Sequence, residues 1–184
     1  MQLRLSACIA ALLFLSGTGH AVSAEPTPVG LWQAVDKDIK RPTGWFLISN
    51  HGGVYRGTIA KMFLKPGQDP NQLCTECKDD RHNHPWLGLE IIRGMRAEGD
   101  DKYGGGTILD PRDGKVYKAT MKVTPDGQTL IVRGYIGLEF LGQNQYWTRV
   151  PQSAYSVLDP TVNANLAVNP QRRSLAHKSE VGRE

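Results

Sequence analysis

The chain has 184 residues, with 22 Lys and Arg against 18 Asp and Glu, a formal charge of +4 and a pI near 9.0. This basic excess is small and spread out, with no Lys/Arg block and no basic–aromatic interleaving, so it speaks for solubility and no nucleic-acid partner is expected. The length suits one domain with a sizeable core.

The first residues read MQLRLSACIAALLFLSGTGHAVSAEP. Arg4 precedes an apolar run from Leu5 to Leu15, and Val22, Ser23 and Ala24 follow as small residues. That order is a secretory signal peptide over residues 1–24, with cleavage near Ala24 and a periplasmic or secreted destination. The apolar run is shorter than the ~20 residues that span a bilayer, no later segment approaches that length, and the mature chain is not expected to be membrane-spanning. Cys8 precedes most of the apolar run, so it is read as a leader residue and not as a lipidated one. Removing residues 1–24 takes away Arg4 and leaves a formal charge of +3. Of the three cysteines only Cys74 and Cys77 then remain, facing an oxidising exterior.

From Val29 to Val150 the chain alternates short strand candidates with turn residues. GLWQAV and GWFLIS come first, then the turn Asn50–Gly53 and VYRGTIAKMFL. Asn and Gly supply the positive backbone angles of a tight hairpin. LGLEIIRGM, GGGTIL, KVYKATMKV, TLIVRGYI and NQYWTRV follow, with turns at Asp110–Gly114 and Thr124–Gly127. In KVYKATMKV, Tyr117, Ala119, Met121 and Val123 share one face while Lys118, Thr120 and Lys122 share the other, a period of two. In TLIVRGYI, Leu130, Val132, Gly134 and Ile136 oppose Arg133 and Tyr135. Helical spacing is never sustained, and 17 glycines between residues 25 and 150 disfavour helix. The expected class is all-β. Eight strands in up-and-down order leave exposed edges unless they close, so residues 25–150 are expected to form a small antiparallel barrel of about eight strands.

Gly30 and Trp32 open the first strand and Arg149 lies on the last. This resembles the lipocalin and fatty-acid-binding superfamily, in which a Gly-x-Trp on the first strand meets a basic side chain from near the chain end. An indole beneath a guanidinium would contribute about 0.5–2 kcal/mol and plug the closed end of a lipocalin-like barrel. Inside it, large residues such as Trp45, Phe46, Phe63, Tyr117 and Met121 could fill the lumen.

The loop LCTECKDDRHNHPWLG holds Cys74, Cys77, His82 and His84. A local Cys74–Cys77 disulfide stapling the loop between the third and fourth strands is the leading reading, contributing only about 2 kcal/mol for so short a ring. Zinc or another soft metal on Cys74, Cys77, His82 and His84 is the alternative. Structural sites, however, space their histidines three to five apart and the thiols face oxidation first. A redox centre would need a helix start after the cysteines, which the sequence does not supply.

No catalytic residue and no cofactor is assigned. Gly104–Gly106 leads into a strand and so reads as a bend and not as a phosphate cradle. Asp110 and Asp113 bracket a turn, which explains them without chemistry. Tyr117, Arg133 and Tyr135 are the candidate ligand-binding residues, on the condition that the Arg133 face lines the lumen. The leading function is a binding module for a small apolar or amphipathic ligand in or at the mouth of the barrel. A structural or envelope-interaction protein is the alternative, its protein partner unspecified, and a hydrolase or isomerase using Asp110, Arg133 or His84 comes third. Residues 151–184, rich in Pro, Asn, Ser and Ala, are expected to be a flexible tail with at most a transient helical turn or two.

The run of motifs resembles a bacterial family catalogued as domain of unknown function number 2147. The resemblance is carried by Gly30 and Trp32; Cys74 and Cys77; Pro85 and Gly88; Gly104 to Gly106 with Leu109, Asp110 and Pro111; Gly114, Lys115 and Tyr117; Leu130, Val132, Arg133, Gly134 and Tyr135; and Trp147 with Arg149. It implies an exported protein of Gram-negative bacteria with a small lipocalin-like barrel and no established activity. His82, His84 and the tail lie outside its pattern.

Overall fold

The computed structural model describes residues 26–36, 38–99 and 101–162. The expected signal peptide, residues 1–24, lies outside the described residues. Eight antiparallel strands close into one barrel in sequence order: β1 Gly30–Val35, β2 Pro42–His51, β3 Val54–Met62, β4 Glu90–Gly99, β5 Lys102–Asp110, β6 Lys115–Val123, β7 Thr129–Tyr135 and β8 Gln143–Arg149. β1 pairs with β8 to complete the cylinder, with Trp32 opposite Arg149 and Ala34 opposite Trp147. Closure leaves no unpaired edge, which removes the aggregation liability of an open sheet. Among the described residues no helix is long and apolar enough to cross a membrane.

Alternation sorts the side chains by wall. Trp32, Ile48, Ile59, Met95, Ala119, Met121, Leu130, Val132 and Trp147 fall in one continuous buried cluster. The alternation read in β6 holds: Ala119, Met121 and Val123 are buried while Lys118 and Lys122 are exposed. The register of β5 against β6 shifts between Tyr103 and Gly106, where the glycine run was expected to bend the strand.

A second apolar cluster sits on the outer wall. Leu31, Leu47 and Ala60 there meet Val150, Leu158 and Val162. Residues Gln152–Val157 form a 3-10 helix, residues 160–162 are helical, and the Tyr155 hydroxyl accepts a 2.9 Å hydrogen bond from the Leu31 amide. The stretch 151–162 therefore packs against the barrel instead of belonging to a flexible tail. Its apolar residues Leu158, in extended backbone after the 3-10 helix, and Val162 are both buried in the outer cluster. The rest of the expected tail, residues 163–184, lies outside the described residues.

Two residues proposed as lumen filling sit outside it. Trp45 packs on the outer cluster, its indole N–H donating to Gln33 Oε1 at 3.0 Å, and its ring meets Phe63 edge-on at 5.7 Å. Adjacent Trp45 and Phe46 face opposite walls by simple alternation, and the register of β2 on β3 shifts there because Ala60 of β3 is an extra residue, which turns Phe63 outward as well.

Candidate functional site

One end of the barrel is sealed. Arg149 lies with its guanidinium carbon 4.1 Å from the Trp32 ring centroid. Its Nη2, Nη1 and Nε donate to the carbonyls of Thr27 (2.6 Å), Val29 (3.0 Å) and Gly127 (2.5 Å). The Trp32 indole N–H donates to Pro28 O at 2.7 Å. Gly30, at φ +136°, is required here: a Cβ would come within 2.8 Å of Arg149 Nη1, so the first residue of the Gly-x-Trp motif makes the space that the arginine fills. Burial pushes the Arg149 pKa down, and the carbonyls and the indole face compensate for the lost water.

The opposite end is different. Chain direction places Phe46, Met62, Ile108, Tyr117, Gly134 and Gln145 near it, on the inward parity, and every one is partly or fully exposed. Trp32, Ile48, Met95, Met121 and Leu130, deeper on the same parity, are 0–1% exposed. Phe46 stacks on Trp147 with ring centroids 4.4 Å apart, giving a flat aromatic floor between the two levels. Gln145 Oε1 accepts from Trp147 Nε1 at 3.1 Å. The Tyr117 hydroxyl makes no hydrogen bond among the described residues, and neither does the buried indole N–H of Trp86, on the loop between β3 and β4. The inward apolar side chains at this end, with the Tyr117 hydroxyl among them, are thus partly open to solvent above a solid core, as a shallow cup would be.

Of the candidate ligand residues, Tyr117 alone faces inward. Arg133 and Tyr135 are on the outer wall, opposite in parity to buried Leu130 and Val132. Arg133 is committed there, donating to Glu139 O (2.7 Å), Phe140 O (2.8 Å) and Asn144 Oδ1 (2.7 Å). The expected trio is split by the sheet. Phe46, named as lumen filling, does face inward, whereas Met62, Ile108 and Gln145 were not singled out. For Gln145 a signal existed: it lies two residues before the inward Trp147 and so shares its face.

The cysteine loop is a structural module. Cys74 and Cys77 form a disulfide with Cα atoms 5.4 Å apart, both buried, and Cys74 Sγ lies 3.6 Å from Pro111 O. With the two sulfurs bonded to each other, the thiolates of the zinc reading are gone. The His82 Nδ1 lies 2.7 Å from Cys77 O, while His84 is exposed. Gly114, in the β5–β6 turn, is the contact point, since a Cβ there would collide with the Glu76 backbone. Arg81 is 3% exposed, bound in a fork to Asp79 and donating to Glu90 O at 3.1 Å. The Arg81 hydrogen bonds outweigh burial and hold the Asp79 pKa at about 2. Beside this loop Asp80, Arg81, His84, Glu90, Arg93 and Thr161 border an open groove of about 380 Å³. Its arginines are paired, Arg93 with both Asp80 and Glu90 at 2.7 Å. Asp110 and Asp113 are likewise occupied, by Arg112 and Lys115. No group of three or more potential metal ligands occurs among the described residues.

The family model described as "uncharacterized protein conserved in bacteria", domain of unknown function number 2147, matches residues 30–149. The chain belongs to that family, as the motifs from Gly30 to Arg149 implied. Among solved structures, one described as "Protein HP1028 from the human pathogen Helicobacter pylori belongs to the lipocalin family" is similar with a TM-score of 0.61 and 16% identity, over 71% of this chain and 89% of that one. At that identity the likeness carries the fold, a lipocalin-like barrel. No curated protein matches the chain.

Proposed function

We propose that this family member is an exported binding protein that holds a small, partly apolar ligand in the cup at the open end of its barrel. The gradient of exposure along the inward positions carries the reading: side chains are sealed from Trp32 to Leu130 and open from Phe46 to Tyr117. Phe46, Met62 and Ile108 offer apolar contact, and Tyr117 and Gln145 offer hydrogen bonds that would orient the ligand's polar end. The deep lumen is occupied by protein, so the ligand would sit at the rim instead of running the length of the barrel. Export is supported by the leader pattern and by the Cys74–Cys77 disulfide, which persists in oxidising compartments.

Filling the cup tests the reading. A Cβ at Gly134 would meet Ile108 Cγ2 at 3.4 Å and Tyr117 Cβ at 3.7 Å, so Gly134→Leu should occupy the space without touching the sealed end. Native mass spectrometry of protein purified from its own host should show a bound small molecule in the wild type. Gly134→Leu should lose it at least tenfold. A wild type that is uniformly empty defeats the proposal.

A further inference from the structure

The loop between β7 and β8 carries a feature that the cup does not use. Ile136, Leu138, Phe140 and Leu141 are 59–73% exposed, in a stretch, Gly134 to Tyr146, whose only charged residue is Glu139. The 3-10 turn Glu139–Leu141 is bent back over the outer wall and fixed from beneath by two Arg133 hydrogen bonds, to Glu139 O and Phe140 O, while the third ties Arg133 to Asn144 on β8. The Glu139 carboxylate is folded under as well, accepting from Thr120 Oγ1 at 3.2 Å and lying 3.7 Å from Lys102 Nζ. Leu141 N donates to Leu138 O and Gly142 N to Glu139 O. The carbonyls of Leu138, Glu139 and Phe140, costly to bring into an apolar medium, are thus already paired, and the side chains that point outward are hydrocarbon.

The flanks supply the complementary charge. Lys118 lies opposite Tyr135, and Lys122 opposite Ile131, on the same outer face. Both lysines are exposed and neither has an ion-pair partner among the described residues. Tyr146, also exposed, lies opposite Ile131 on β8. An apolar tip with three of its carbonyls paired, flanked by phenol hydroxyls and free ammonium groups, matches the layers of a phospholipid surface: acyl chains, headgroup boundary and phosphates.

We infer that the Ile136–Leu141 knuckle docks on an anionic phospholipid surface, inserting Ile136, Leu138, Phe140 and Leu141 while Lys118 and Lys122 meet the phosphates. Flotation of the full chain with vesicles of phosphatidylcholine alone, or mixed equally with phosphatidylglycerol, tests it. The wild type should partition at least tenfold better onto the anionic vesicles, with binding that weakens as salt rises. Phe140→Asp with Leu141→Asp should reduce that partition at least tenfold. Lys118→Gln with Lys122→Gln should reduce it by about tenfold on anionic vesicles and leave the neutral ones unchanged. These side chains are exposed, so both variants should keep the wild-type urea midpoint. Equal flotation of the wild type and the double-aspartate variant overturns the inference. So does a wild type that ignores vesicles but sediments as a dimer that the aspartates dissolve, which would assign the knuckle to a second copy.

Discussion

At the sealed end of the barrel, Trp32 and Arg149 leave no room for anything but each other and the carbonyls of Thr27, Val29 and Gly127. At the open end, Phe46, Ile108 and Tyr117 lie on the same inward parity and keep part of their surface in water. The same eight strands make both ends, so the difference comes from a few side chains. A large aromatic capped by a forked cation completes one end. Small residues such as Ala34 and Gly134, interspersed with larger ones, leave the other unfinished. Stability should therefore concentrate at the first end and tolerance of change at the second.

The harshest test of that contrast is Trp32→Ala, which removes a fully buried indole and should lower unfolding free energy by about 3–5 kcal/mol. Tyr117→Ala in the cup should lower it by less than about 1 kcal/mol. Similar losses in urea denaturation would dissolve the contrast. Next in size, Arg149→Met strips three carbonyls of their donor and should lose about 2–3 kcal/mol. Arg149→Lys should recover only part of it, since an ammonium cannot reproduce the fork. Faster hydrogen exchange in the Thr124–Gly127 turn would localise the damage.

Smaller effects belong to the open end. Replacing Cys74 and Cys77 with serine should reduce stability by about 2 kcal/mol, with exchange protection lost first around residues 72–86 and β1–β8 pairing retained. The smallest is acid sensitivity. Arg81 depresses the Asp79 pKa from 3.8 to about 2, so the pair's contribution is fully present above pH 4 and disappears as pH falls through 2. The Asp79 side chain is 40% exposed, so solvent screening limits the effect to about 1 kcal/mol. Asp79→Asn should flatten that part of the pH profile, whereas the carbonyls that anchor Arg149 do not titrate. A loop that keeps its exchange protection at pH 2 would contradict this.

Much of the barrel was legible because pleated strands write their faces with a period of two. KVYKATMKV and the Gly30, Trp32 and Arg149 set carried the topology and its closing pair. Irregular register hid the rest. Strict alternation already separates adjacent Trp45 and Phe46, but the extra residue Ala60 in β3, which turns Phe63 outward, is announced by nothing in the residues themselves. Arg133 looked like a ligand group because a free guanidinium and a committed one read alike; its partners are carbonyls of a turn folded back by Gly137 and Gly142. The β3–β4 loop has no period to read, so the Arg81–Asp79 fork and the Gly114 contact emerge only in three dimensions. The packing of residues 151–162 could not be read from the tail's composition, because its target on the outer wall is assembled from three strands.

The Arg149 clasp also dictates when the protein can finish folding. It joins groups as far as 122 residues apart, so seven consecutive strand pairs must find their register before the cylinder can be shut. Contacts of such long sequence separation form slowly. Until the last strand arrives, β1 remains an open template for a neighbouring chain, and the nascent molecule is most vulnerable in the interval between its first strand and its eighth.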